Sequence, residues 1–342
     1  MDAEELQRRR AHRARERRRR RLRRRIGGVV SLCVIVAAVV VAVSAASSGG
    51  RGTHTAADAA RVGHKHRDAR RGPHAKSGAG SAAAADTRHG STAAALGPAT
   101  GIPGTASVPV LMYHVIAPPP PNAPFPLLYV DPVQFAAQMR ALKADGWTAV
   151  TLDQLRAYWA HGARLPPGKP IVLTFDNGYH SQYTQALPIL RRLGWVADEN
   201  IQLSGLPPSQ GGLTSDEVRA MIDAGWELDT QGISHADLIT LDAGQLHYQI
   251  DVARQRLRRE YHVPVNWFCY PSGHYDATVI DAVRAAGFVG STTVIPGWAG
   301  PSSDPFRLPR LRVVRGTSPA ALLSQLASTR TSSPPPPSYG GA

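Results

Sequence analysis

The stretch IVLTFDNGY, residues 171–179, decides how the chain is read. β-Favouring apolar residues run directly into Asp176, Asn177 and Gly178, so a buried strand ends in two polar side chains and a turn glycine. In a parallel α/β barrel the reactive groups sit at the C-terminal ends of the strands, and an acid at this point faces the mouth. Taken alone, the same residues also describe an Asx-turn that merely closes a strand.

Working outward, the pattern alternates. Strands are expected over residues 108–115, 147–150, 171–176, 196–203, 227–231, 267–270, 291–294 and 311–314. Helices are expected over 152–161, 180–193, 214–224, 242–261, 277–286 and 319–327, and an earlier one opens at Asp131-Pro132 with Phe135, Met139 and Leu142 on one stripe. Thr214 and Glu217 form a capping-box pattern at a helix start. The alternation predicts an α/β fold, a deformed parallel (β/α) barrel closed or nearly closed on itself, in one folded unit over residues 107–328.

The flanks read differently. Residues 1–25 hold 13 arginines against four acids, nine of the chain's fourteen net positive charges, so the basic excess belongs to a tail. No aromatic residue accompanies it, which argues against a specific nucleic-acid partner. Residues 26–46 carry no charge and as a helix would rise about 31 Å, close to a hydrocarbon core of about 30 Å. With arginines before it, this span is expected to be a signal anchor with a cytoplasmic N-terminus and an extracytoplasmic folded domain at the cell membrane; a cleaved signal peptide is the competing reading. Residues 47–106, rich in Ala, Gly, Ser and His, are expected to be a disordered linker, and residues 329–342 a Pro-rich disordered or extended tail. Cys33 and Cys269 lie in unlike segments, so no disulfide is expected.

Four stretches, VPVLMYH (108–114), LTFDNGY (173–179), WELDTQGISHADL (226–238) and WFCYPSGHYD (267–276), together resemble the polysaccharide deacetylases of the fourth carbohydrate esterase family, which share the NodB homology domain. The likeness is to the circularly permuted branch, in which a Tyr-His strand comes first. It implies a metal-assisted amide hydrolase that removes N-acetyl groups from a cell-envelope polysaccharide such as peptidoglycan or a poly-N-acetylglucosamine.

Carried onto this sequence, the resemblance makes Asp176 the catalytic base and His114 the acid, with Asn177, Gln231 and His235 at the positions of the metal ligands. Two of those three depart from the family's Asp and His. Neutral amides replace a carboxylate and an imidazole, so a zinc-like divalent cation is expected to be weakly held or absent. The arginine that braces the base in many relatives is replaced by Cys269. Tyr179, Tyr270 and Pro271 are expected to bind substrate, and Trp298 is a further candidate for the cleft. His180 and His274 are spare nitrogens near the motifs, and Asp237 is expected to cap a helix after Leu238. Two functions stay open: a membrane-anchored deacetylase with an atypical metal site, and a glycan-binding pseudoenzyme that kept the groove.

Overall fold

A computed structural model describes residues 98–206 and 211–341. The segment expected to span a membrane and the Arg-rich segment before it lie outside the described residues, as does most of the expected linker. Among the described residues no helix is long and apolar enough to cross a membrane.

The order is β1 (Val108–Tyr113), α1 (Pro132–Ala144), β2 (Trp147–Val150), α2 (Leu152–His161), β3 (Lys169–Asn177), α3 (Leu187–Leu193), β4 (Asp198–Ile201), α4 (Ser215–Asp223), β5 (Glu227–Thr230), α5 (Ala243–Tyr261), β6 (Trp267–Cys269), α6 (Ala277–Ala285), β7 (Gly290–Thr292), β8 (Trp298–Ala299), β9 (Leu311–Arg312) and α7 (Pro319–Ser328). The strands form one sheet ordered β7-β6-β5-β4-β3-β1-β8, with β2 beside β3 and β9 beside β1. Every pairing is parallel except β1 with β8.

The sheet curls into an incomplete α/β barrel. Trp267 of β6 packs in one apolar cluster with Val110 of β1 and Val172 of β3, although β5 and β4 stand between β6 and β3 in the sheet. Leu308 forms a bridge to Thr292, and Leu311, three residues later, pairs with Leu111 of β1, so this segment spans the gap between the edges.

Side-chain alternation then sorts the two faces. Ile171, Leu173 and Phe175 of β3 pack in the larger core with Leu111 and Tyr113 of β1 and with α1 residues Phe135, Met139 and Leu142. Phe175 stacks between Tyr113 and Trp226, at ring separations of 5.6 and 4.9 Å. The intervening residues, Thr174 and Asp176 of β3, Asn200 of β4 and Cys269 of β6, face inward and are buried. Sequence alternation thus sends one face of each strand to the helices and the other to the barrel interior, where apolar Val110, Val172 and Trp267 give way to polar groups towards the strand ends.

Helix starts follow their caps. Thr214 and Glu217 form the expected capping box at α4, and Asp131 caps α1 ahead of Pro132. The helix expected over 180–193 is helical over that whole span, with a π-helical turn, Gln182–Ala186, inside it ahead of α3. Pro188, which lacks an N–H, stands at the start of α3, where its missing donor breaks the regular ladder.

Both ends of the folded unit extend beyond the expected limits. Residues 98–106 run along α2: the Gly104 amide donates to Tyr158 O at 2.9 Å and the Trp159 indole to Ala106 O at 2.9 Å. Composition hid this, because the contacts are made by backbone groups. The Pro-rich tail is extended as one of its two readings allowed, and it is docked. Tyr275 and Tyr339 exchange two backbone hydrogen bonds of 2.8 Å, and the Tyr275 hydroxyl donates to Pro336 O. Prolines keep their carbonyls as acceptors, and Tyr339 supplies the ring that packs against the domain.

Candidate active site

Asp176 leaves the end of β3 on the inner face, about 1% exposed, and four donors converge on it. Arg310 grips it with both arms, Nη1 to Oδ1 at 2.7 Å and Nη2 to Oδ2 at 2.9 Å. Asn200 Nδ2 donates to Oδ1 at 2.9 Å, and Cys269 Sγ stands 3.5 Å from Oδ2. Arg310 is itself held by Thr293 O and Thr174 Oγ1. Burial pushes the Asp176 carboxyl up, but Arg310, His114 and the hydrogen bonds outweigh it and hold the group at about 2.

His114 continues from β1 beside it, with Nε2 3.9 Å from Asp176 Oδ2. Its Nδ1 is buried and takes no hydrogen bond from the protein. Burial pushes the imidazole down to about 4; Asp176 opposes this, while Arg310, Arg312 and His235 add to it. At neutral pH the site therefore holds a carboxylate, a guanidinium and a neutral imidazole.

Gln182 sets the spacing between the two strand ends. Its buried Nε2 donates to His114 O and to Asp176 O, each at 2.9 Å, so one amide ties β1 to β3 at the level of the site. The π-helical turn points this side chain inward.

These groups lie in a cleft of about 800 Å³ that also exposes Asn177, Tyr179, Gln202, Gln231, His235 and Arg312. Asn177 adopts φ +80 and Gly178 φ +86, which turns the Asn side chain out of the strand alternation and into the cleft; a Cβ on Gly178 would lie 2.8 Å from Ile201 Cγ1. Asn177 Nδ2 donates to Gln202 Oε1 at 2.9 Å, leaving its carbonyl oxygen for the cleft. Gln231 Oε1 is buried without a partner, and burial lowers the His235 imidazole.

The sequence-expected residues are thus largely brought together, with corrections. Tyr270 has one edge on the cleft, but its ring is buried between Phe268 and Tyr275 and its hydroxyl donates to Phe306 O, because alternation sends it to the helical side. Pro271 is buried in the following turn and is not on the cleft lining. Trp298 pairs beside Pro109, at the opposite end of β1 from His114. The spare histidines are engaged elsewhere: His180 Nδ1 meets Glu217 at 2.9 Å and His274 Nδ1 meets Asp237 at 3.0 Å. Asp237 makes that contact in place of a side-chain cap. Sequence reasoning missed Arg310, Asn200 and Gln182. The arginine missing from the strand that carries Cys269 is supplied from the segment that spans the barrel gap.

Comparison with known proteins bears on this arrangement. The family description Polysaccharide deacetylase matches residues 163–291. The chain carries a polysaccharide deacetylase domain. It is 26% identical over 226 residues, 66% of this chain and 78% of the other, to the Bacillus subtilis protein YxkH, itself assigned to the polysaccharide deacetylases. A 60-residue stretch is 42% identical to the poly-beta-1,6-N-acetyl-D-glucosamine N-deacetylase of Escherichia coli, covering 18% of this chain and 9% of that protein. A crystal structure of a Bacillus anthracis protein assigned to the same family superposes with a TM-score of 0.58 at 25% identity, covering 65% of this chain and 69% of that one.

Polysaccharide deacetylases are amide hydrolases that typically depend on a divalent metal. In this deacetylase domain Asn177 and Gln231 offer neutral amide oxygens and His235 one ring nitrogen, while the nearest carboxylate, Asp176, is covered by Arg310. That set has no anionic ligand to spare and one imidazole, and it does not fit zinc, which favours thiolate, imidazole and carboxylate. What the arrangement offers from its own residues is a neutral imidazole able to accept a proton, with a fixed negative charge 3.9 Å away to stabilise the imidazolium.

Proposed function

We propose that this chain is a cell-envelope hydrolase that removes N-acetyl groups from a polysaccharide of peptidoglycan or poly-N-acetylglucosamine type. The reading is carried by the His114–Asp176 pair at the end of β1 and β3, in a cleft of about 800 Å³. His114 is the proton carrier: it takes a proton from water as that water adds to the acetamide carbon, then returns it to the amine as the C–N bond breaks, leaving acetate and a free amine. Asp176 is the charge behind it, because a carboxyl held at about 2 is too weak a base to do this alone. Tyr179 and the exposed Phe125 and Leu127 at the rim supply apolar surface for sugar faces. Residues 26–46 anchor the protein in the cell membrane and the Arg-rich segment stays cytoplasmic, which places the domain on the envelope side.

A second reading, a glycan-binding protein without turnover, is favoured by one observation: amides at positions 177 and 231. One experiment separates the two. The purified full chain is incubated with chitooligosaccharides and with poly-β-1,6-N-acetylglucosamine, and both bound glycan and released acetate are measured. Acetate release abolished by His114→Gln supports the hydrolase. Binding with no release supports the second reading, and neither binding nor release removes both.

A further inference from the structure

A second cluster of acids lies lower in the barrel and takes no part in the cleft. Asp198 begins β4, and Glu227 and Asp229 belong to the neighbouring β5, where Asp198 pairs in register with Glu227. One oxygen from each of the three lies within 4.8 Å of the others. None of the three lines the cleft, and among the described residues none has an ion pair with Arg, Lys or His.

The hydrogen bonds divide each carboxylate in the same way. Asp198 Oδ1 accepts from the Leu152 amide at 2.8 Å, Glu227 Oε2 from the Asp153 amide at 3.0 Å, and Asp229 Oδ1 from the Trp267 amide at 2.8 Å. The other oxygen of each, Asp198 Oδ2, Glu227 Oε1 and Asp229 Oδ2, is buried and takes no hydrogen bond from the protein. Asp198 and Asp229 are themselves fully buried. Backbone amides at the start of α2 and β6 therefore fix the three side chains and leave three inward oxygens without a protein donor, while burial and the neighbouring carboxylates push all three carboxyls up.

We propose that Asp198, Glu227 and Asp229 bind a hard divalent cation of calcium type. Three atoms all within 4.8 Å of one another share a centre no more than about 2.8 Å from each, so one cation with oxygen contacts of about 2.3–2.6 Å can reach all three. All donors are oxygens, which fits calcium and not a soft metal. Glu227 is the half-buried member of the three. The bound ion would tie β4 and β5 to each other and, through the shared amides, to the starts of α2 and β6.

The test uses the full chain. After exhaustive dialysis against EDTA, equilibrium dialysis with calcium and thermal unfolding are measured with and without about 1 mM calcium. One calcium per chain and a midpoint higher by about 5 °C are expected, both lost in Asp198→Asn/Asp229→Asn and kept in Gln231→Ala/His235→Ala. If the double acidic variant does not fold, Glu227→Gln, at the half-buried position, serves in its place and should weaken binding at least tenfold. No bound calcium with an unchanged midpoint would overturn the site and mean that the carboxyls share protons instead. Calcium retained by the acidic variants, or lost with the cleft pair, would place the ion elsewhere and overturn it equally.

Discussion

Arg310 and Asp176 stand 134 residues apart in the chain and meet in the barrel as a two-pronged ion pair, both about 1% exposed. A guanidinium and a carboxylate fully removed from water stay charged only because each satisfies the other, and because Asn200, Thr174 and Thr293 complete the remaining bonds.

Breaking one side of that pair should therefore be severe. Arg310→Met leaves Asp176 as an unpaired buried anion and should destabilise the domain by about 3–5 kcal/mol, measured by urea denaturation. Arg310→Lys keeps the charge but not the fork, and should fall between wild type and Arg310→Met. Replacing both partners, Arg310→Met with Asp176→Leu, should recover a substantial part of the loss while abolishing any turnover. A double variant as unstable as the sum of the singles would mean the pair is not coupled as its geometry indicates.

Gln182 should behave as a positioning residue. Gln182→Leu removes the donor shared by His114 O and Asp176 O and should cost about 1–3 kcal/mol in stability. Acetate release, where wild type shows it, should fall more in kcat than in KM, because the strand ends lose their spacing while the cleft walls remain. An equal rise in KM with kcat unchanged would assign Gln182 to substrate contact instead.

The His114 imidazole makes stability depend on pH in a window set by its two states. The unfolded chain takes up this proton near 6.5 and the folded protein only near 4, so between those values the unfolded state binds more protons. Stability contributed this way is present above pH 6.5 and is lost as the pH falls towards 4, on the order of 3 kcal/mol in all. Asp176 acts in the same direction but lower, between 3.8 and about 2. Urea midpoints for wild type and His114→Gln, compared from pH 7 to 4.5, should show a shallower pH slope in the variant.

Much of the fold was legible because its signals are local. The strand limits at 147–150 and the helix limits at 152–161 coincide with β2 and α2, and the Thr214–Glu217 cap lies where its spacing placed it. His114, Asp176, Asn177 and Gln231 were legible because each stands at a strand end within a contiguous motif, and His235 because it follows Gln231 in the same motif; the barrel brings these strand ends together. Arg310 was not, since it lies between Pro309 and a two-residue strand and its partner is remote in sequence. Gln182 was hidden by a turn that a regular helix would have aimed elsewhere. Asp198 and Asn200 lie within the strand expected over 196–203, but only closure of the sheet shows that they face the barrel interior.

The last prediction asks whether the cleft is one substitution pair away from a metal centre. Asn177→Asp with Gln231→His would place a carboxylate and a second imidazole on the lining that already holds His235, the three-ligand open set zinc favours. One neighbour must respond: Gln202 Oε1 stands 2.9 Å from Asn177 Nδ2 and would face an oxygen, so its amide must turn and give up the bond from Nε2 to Ser204 O. The repaired protein should retain one zinc per chain after dialysis and release acetate from chitooligosaccharides orders of magnitude faster than wild type, with the gain abolished by Asp176→Ala. Asn177 is followed by Gly178, a step with little steric protection against deamidation, so aged wild-type protein can acquire the carboxylate at this position unaided; peptide mass there in fresh and aged samples controls for it. Zinc bound without acetate release on any N-acetylated glycan would show that the walls of the cleft, and not its ligands alone, have departed from the deacetylases, and the glycan-binding reading would then replace the hydrolase.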